Sequence, residues 1–120
     1  MKNDAMKKKS APPEALQRQY RRLRDRLAQT GYISHGSVLD RSTLRPPRSG
    51  YQWTRKEARK TITVALSLEQ FQFLRQAIHN GRHLQKTIGK MERLSRQILF
   101  EILPNPHRRK SLSKKVLGLI

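Results

Sequence analysis

Tyr51-Gln52-Trp53-Thr54-Arg55-Lys56-Glu57-Ala58-Arg59-Lys60-Thr61-Ile62-Thr63-Val64-Ala65-Leu66 is the stretch on which the fold turns. Its first five residues alternate aromatic and polar, and its last seven place Ile62, Val64 and Leu66 two apart. A period of two in a β-branched, aromatic segment belongs to a half-buried strand, whose side chains point alternately to opposite faces. Lys56-Glu57-Ala58-Arg59 between them has the length of a hairpin link. The reading is a β-hairpin with Trp53 packed across from Ile62 or Val64. Upstream, Ser37-Val38-Leu39 supplies a third short strand, separated by Arg45-Pro46-Pro47-Arg48-Ser49-Gly50, which can only be a loop or turn. A three-stranded antiparallel sheet follows.

Downstream the period changes to helical. Ser67-Leu68-Glu69-Gln70 has capping-box spacing, a hydroxyl followed three residues later by Gln. Phe71, Leu74 and Ile78, then Leu84, Ile88, Met91, Leu94 and Ile98, continue an apolar stripe to about Leu103, where Pro104 stops it. Asn80-Gly81 interrupts this pattern. Read through, it gives one helix of about 36 residues and about 54 Å; broken there, it gives a helical hairpin. A mid-helix glycine costs only about 1 kcal/mol, which tips the reading toward one helix.

Before the sheet, Leu16, Tyr20, Leu23 and Leu27 make a second helical stripe. Ser10 or Ala11 stands at its entry, with Pro12 and Pro13 in the first turn and Glu14 at the positive end of the dipole. Gly31 is placed to act as a left-handed stop. Arg18, Arg21, Arg22, Arg24 and Arg26 occupy the other faces, with Asp25 in reach of Arg21 or Arg22. The expected class is therefore α+β: an N-terminal helix, a small antiparallel sheet, and a long C-terminal helix or helical hairpin. Residues 1–12 read as a flexible basic arm, 13–103 as a single small domain and 104–120 as a basic C-terminal tail.

Charge then narrows the function. The chain carries 27 Lys and Arg against 8 Asp and Glu, a net +19. The excess is spread over every element rather than confined to a tail, and residues 31–67 and 104–120 contribute +5 each. Such a field repels itself in a compact chain and is relieved by a polyanion. Nucleic acid, DNA or RNA, is the leading partner; an acidic protein or an anionic membrane surface is the alternative. Cysteine is absent, which removes disulfides, thiol nucleophiles and thiolate zinc sites. Basic Met1–Lys9 runs into Ser10-Ala11-Pro12-Pro13-Glu14 instead of an apolar stretch, so no secretory signal is read, no segment is long enough to span a membrane, and a cytoplasmic location is expected.

The candidate phosphate contacts are Arg55, Lys56, Arg59 and Lys60 around the hairpin turn, Arg45 and Arg48 beside the proline loop, and Arg108, Arg109, Lys110, Lys114 and Lys115 in the tail. The arginines of the first helix also suit a backbone or groove. Tyr51 and Trp53 invite base stacking, but their alternation beside Ile62 and Val64 fits packing better. No helix face gathers Asn, Gln and Arg as a recognition helix does, so sequence specificity is not expected. His79 and His83 share a face without a third ligand, and no cofactor or metal is implied. The scattered acids, Asp40 among them, form no catalytic pair, and no phosphate loop or nucleophile elbow occurs, so a non-catalytic protein is expected. Two other uses of the surface follow from pattern. The stripe from Phe71 to Ile102 suits the domain's own core and equally a homodimer seam or an accessory subunit docking on a protein, and Val116-Leu117-Gly118-Leu119-Ile120 behind two lysines suits a partner or membrane surface.

Taken in order, Gly36-Ser37, Tyr51-Gln52-Trp53-Thr54-Arg55-Lys56, a basic link, a strand and a long helix containing Leu74 to Ile78 and Leu94-Ser95 resemble a family of small bacterial proteins of unknown function associated with mobile genetic elements. The resemblance covers about residues 31–100. It implies a short serine-bearing strand, a glycine-led aromatic hairpin and a long C-terminal helix. Relatives carry a cysteine cluster that looks zinc-binding before the hairpin. Here that stretch is Asp40-Arg41-Ser42-Thr43-Leu44-Arg45-Pro46-Pro47-Arg48, so the metal site does not carry over.

Overall fold

The computed structural model describes residues 13–103, 106–107 and 112–120. In chain order the elements are α1 (Glu14–Ala28), β1 (Ser37–Asp40), a one-turn 3-10 helix (Arg41–Thr43), β2 (Tyr51–Glu57), β3 (Lys60–Leu66) and α2 (Leu68–Ile102). The chain has the expected α+β arrangement. The described residues gather into two compact units, one of residues 30–85 and the other of residues 13–29 with 86–120, and α2 contributes to both.

In the first unit the sheet is antiparallel in the order β1-β2-β3, with β2 central. Trp53 pairs with Val38 on one side and Val64 on the other. That register puts Val38, Tyr51, Trp53, Arg55, Ile62, Val64 and Leu66 on one face, and Leu39, Gln52, Thr54, Lys56, Thr61, Thr63 and Ala65 on the opposite one. The hairpin is tighter than its sequence implies. The strands continue through Glu57 and Lys60, which leaves only Ala58 and Arg59 in the turn, at φ 50° and 68°. Two consecutive left-handed residues are what a two-residue hairpin of matching twist requires. Asn-Gly normally meets that demand; here Ala and Arg bear a cost of about 1–2 kcal/mol each.

The helix entry obeys the capping box. Ser67 Oγ accepts from the Gln70 N–H (3.1 Å) and Gln70 Oε1 accepts from the Ser67 N–H (2.9 Å). Beyond it α2 runs unbroken through Asn80-Gly81, and the reason lies outside the helix. The extended segment after α1 passes directly over this point. The Ser34 N–H donates to the Ala77 carbonyl (3.0 Å) and Asn80 Nδ2 donates to the Tyr32 carbonyl (2.9 Å). A Cβ on Gly81 would stand 2.5 Å from the Ser34 carbonyl oxygen. What reads as a weak helix breaker is the gap that admits a neighbouring backbone. Phe71, Ala77 and Ile78 form the buried core here, with the Tyr51 ring on that of Phe71 at 4.6 Å.

In the second unit Leu94 and Thr87 are buried. The stripe of α2 passes through Thr87 and leaves Ile88 exposed, because 84, 87, 91, 94 and 98 follow the alternating three-four spacing more closely than a path through 88. Leu16, Tyr20, Leu23 and Leu27 of α1 are half-buried. Helix α1 begins later than its prolines suggest: Pro13, at ψ 133°, is the N-cap and not a residue of the first turn. It ends at Gln29 without a left-handed residue. Gly31 has no positive φ; its hydrogen leaves room for Asn80 Nδ2, 3.2 Å from where a Cβ would lie. Asp25 pairs with neighbouring Arg24 (3.8 Å) rather than with Arg21 or Arg22, while Arg18 and Arg21 both reach Glu14.

Candidate functional site

The structure disperses the cations around the hairpin. Arg45 and Arg48 lie in the loop before Tyr51, whereas Lys56, Arg59 and Lys60 surround the turn beyond Glu57. Six residue steps of strand separate the two groups, about 20 Å. Arg55 is partly spent: its guanidinium lies over the Trp53 ring at 5.3 Å and pairs with Glu57. Lys60 shares the face of Arg55 and Glu57, Lys56 points to the opposite face, and exposed Arg59 occupies the turn itself. The hairpin therefore offers a tip carrying three exposed cations, not a flat patch of six.

Neighbouring groups that resemble site chemistry have structural duties. Trp53 Nε1 donates to the His35 carbonyl (2.9 Å), and Tyr51 packs on Phe71, so both rings serve the domain's own packing. Asp40 caps the 3-10 turn, its Oδ1 accepting from the Ser42 hydroxyl (2.7 Å) and the Ser42 N–H (3.0 Å). Those two bonds, the hydroxyl's first, hold its carboxyl below the ordinary value of 3.8, although slight desolvation works the other way. Both are donors to the charged form, which is why the acid is strengthened. Arg41 Nε donates to Gln52 Oε1 (3.2 Å) and closes the same corner. No group of three or more His, Cys, Asp or Glu among the described residues is placed to hold a metal ion.

The second unit brings together residues whose convergence the sequence does not display. A cleft of about 520 Å³ opens between α1 and the distal part of α2. Arg22 and Arg26 line it from α1, and Lys90 and Arg93 from α2. Gln19 and Gln97 also line it, with Leu23, Leu94 and Leu119 as the apolar part. No carboxylate is among these residues. Each helix contributes polar residues at i, i+3 and i+7, namely Gln19, Arg22, Arg26 and Lys90, Arg93, Gln97. Each also sets a leucine directly after its central arginine (Leu23, Leu94). On a helix that spacing forms one face, so the pattern can be found once the two helices are known to face a common space. A shallower depression of about 580 Å³ shares Lys90 and Arg93 and adds Lys86, Gly89, Glu92 and Arg96.

Leu119 reaches the cleft because the C-terminal segment folds back. Residues 114–118 form a turn in which the Leu119 N–H donates to the Lys114 carbonyl (2.8 Å), and Arg96 Nη2 donates to the Gly118 carbonyl (2.8 Å). Arg96 Nε is buried without a hydrogen-bond partner. Leu117 and Leu119 are half-buried while Val116 and Ile120 stay exposed, so half of the apolar end is already occupied by this chain. Lys114 and Lys115 remain exposed on that turn; Arg108, Arg109 and Lys110 lie outside the described residues. Among the described residues no helix is long and apolar enough to cross a membrane.

Searches of protein-family models, curated proteins and solved structures find no match to this chain.

Proposed function

We propose that this protein is a non-catalytic nucleic-acid-binding protein that grips backbone phosphates with little regard to sequence. The observation that carries the reading is the cleft onto which Arg22, Lys90 and Arg93 converge, with no carboxylate among its described lining residues. Like charges around one small space repel one another, and an anion reverses the sign of that energy. The hairpin tip supports the same reading. Ala58 and Arg59 accept a left-handed conformation that Asn-Gly would adopt at less cost, and the result is an arginine held at the most projecting point between Lys56 and Lys60.

The test is binding of nuclease-treated protein to labelled nucleic acid across a salt series. Neutralising about 6–10 phosphates cuts affinity about 10³–10⁵-fold between 50 and 200 mM salt. Affinity that barely responds to salt ends the proposal. Replacing Lys56, Arg59 and Lys60 together by Ala should weaken all duplex sequences alike and lower the logarithmic salt slope by about 2.7, that is, about 0.9 per lost contact. An unchanged slope takes the hairpin out of the interface.

One observation favours a second reading, an accessory subunit docked on a protein through α2. Phe73 on that helix meets Tyr32 in a tilted ring contact at 5.3 Å, yet the two are 55% and 76% exposed. A partner that survives nuclease treatment and is released by Phe73→Ser supports it; a clean monomer removes it.

A further inference from the structure

Resting on the nucleic-acid reading, we infer that the cleft between α1 and α2 takes one unpaired strand and excludes a duplex. Its volume of about 520 Å³ equals that of a cube about 8 Å on a side. Pockets of this order suit a ligand of small-molecule size. The major groove of B-form DNA is by itself about 12 Å wide, so a duplex can lie only across the rim.

The lining chemistry points the same way. Cations and leucines share the cleft: Arg22, Lys90 and Arg93 beside Leu23, Leu94 and Leu119. A duplex presents phosphates but keeps its base faces stacked, leaving the leucines nothing to cover. An unpaired strand presents a phosphate and a bare base face on the same nucleotide, and so can satisfy both halves of the lining. Arg22 and Arg26 stand one helical turn apart, about 6 Å along α1, and Lys90 and Arg93 about 4.5 Å along α2. Each wall can bracket one or two phosphates of a strand passing through. Leucine side chains make no hydrogen bond to a base edge, so the contact is tolerant of base identity.

The experiment compares an oligo-dT strand with a blunt duplex of equal length, by fluorescence anisotropy over a salt series. The variants are Arg22→Gln with Arg93→Gln, and the same pair changed to Lys. Both positions are exposed, and thermal melting checks that each variant is folded. For the Gln pair, the single-strand slope should fall by about 1.4, from about 0.7 per contact, and affinity for the strand by about tenfold or more. Duplex affinity should fall by clearly less than strand affinity, and the Lys pair should recover the slope. Equal losses on strand and duplex, or no loss on the strand, overturn the inference. If the wild-type protein binds duplex with a steep salt slope but strand no more tightly, the strand inference fails while the broader proposal stands. If neither polymer shows a salt slope, both fail.

Discussion

The two compact units handle positive charge in opposite ways. Residues 31–67 carry a net +5, and the structure spreads it: Arg55 onto Trp53 and Glu57, Arg41 onto Gln52, and Arg45 and Arg48 to the far end of β2 from the turn. In the other unit Arg22, Arg26, Lys90 and Arg93 converge on one cleft. Net charge along the chain is by itself no guide to a site. Convergence of like charges on one space is the better guide, since such neighbours gain from a shared anion.

The same contrast extends to the glycines of α2, one in each unit, and gives the sharpest way to break it. Gly81→Ala drives a Cβ to 2.5 Å from the Ser34 carbonyl oxygen, whereas a Cβ on Gly89 meets nothing within 4 Å. The first substitution should destabilise by about 1–3 kcal/mol through overpacking. The second should stabilise by up to about 1 kcal/mol through helix propensity. Urea denaturation of the two variants measures both. Shifts of the same sign would mean that the Ser34 backbone does not depend on the gap at Gly81.

The hairpin turn comes next in size. Ala58→Asn with Arg59→Gly relieves two left-handed residues of ordinary side chains and should stabilise by about 1–2 kcal/mol, while weakening duplex binding by the loss of one cation. Higher stability with undiminished duplex binding would separate the strained turn from function.

The smallest effect sharpens the account of the corner at β1. The Asp40 carboxyl is held below 3.8 in the folded protein, so its contribution is complete above its unfolded value and lost as pH falls through the folded one. Thermal melts below about pH 4 should show a loss that Asp40→Asn, which keeps one acceptor oxygen without the charge, does not share. Parallel acid limbs in the two proteins would mean that the Ser42 bonds do not favour the charged form.

Legibility followed the range of the interactions involved. The Ser67–Gln70 box, the Trp53–Val64 pairing and the three-stranded sheet were readable because each depends on a few neighbouring residues or on a period of two. Thr87 was passed over in the α2 stripe because a threonine is not counted as apolar, although it is buried. In the sequence Gly31 has the form of a helix stop and Asn80-Gly81 of a weak interruption in a continuous helix, whereas their small or polar side chains answer to segments 40 or more residues away in sequence. The arginines of α1 were visible, but not that Lys90 and Arg93 would join Arg22 and Arg26.

The sequence alone determined the elements and the sign of the field: a hairpin, two amphipathic helices and a net +19. Periodicity, capping and composition are local or summed properties, and survive without knowledge of the fold. Tertiary structure decided which charges are spent and which converge, where Gly81 must be bare, and that Leu119 returns to wall the cleft. Those outcomes depend on distances between residues remote in sequence, and only packing fixes such distances.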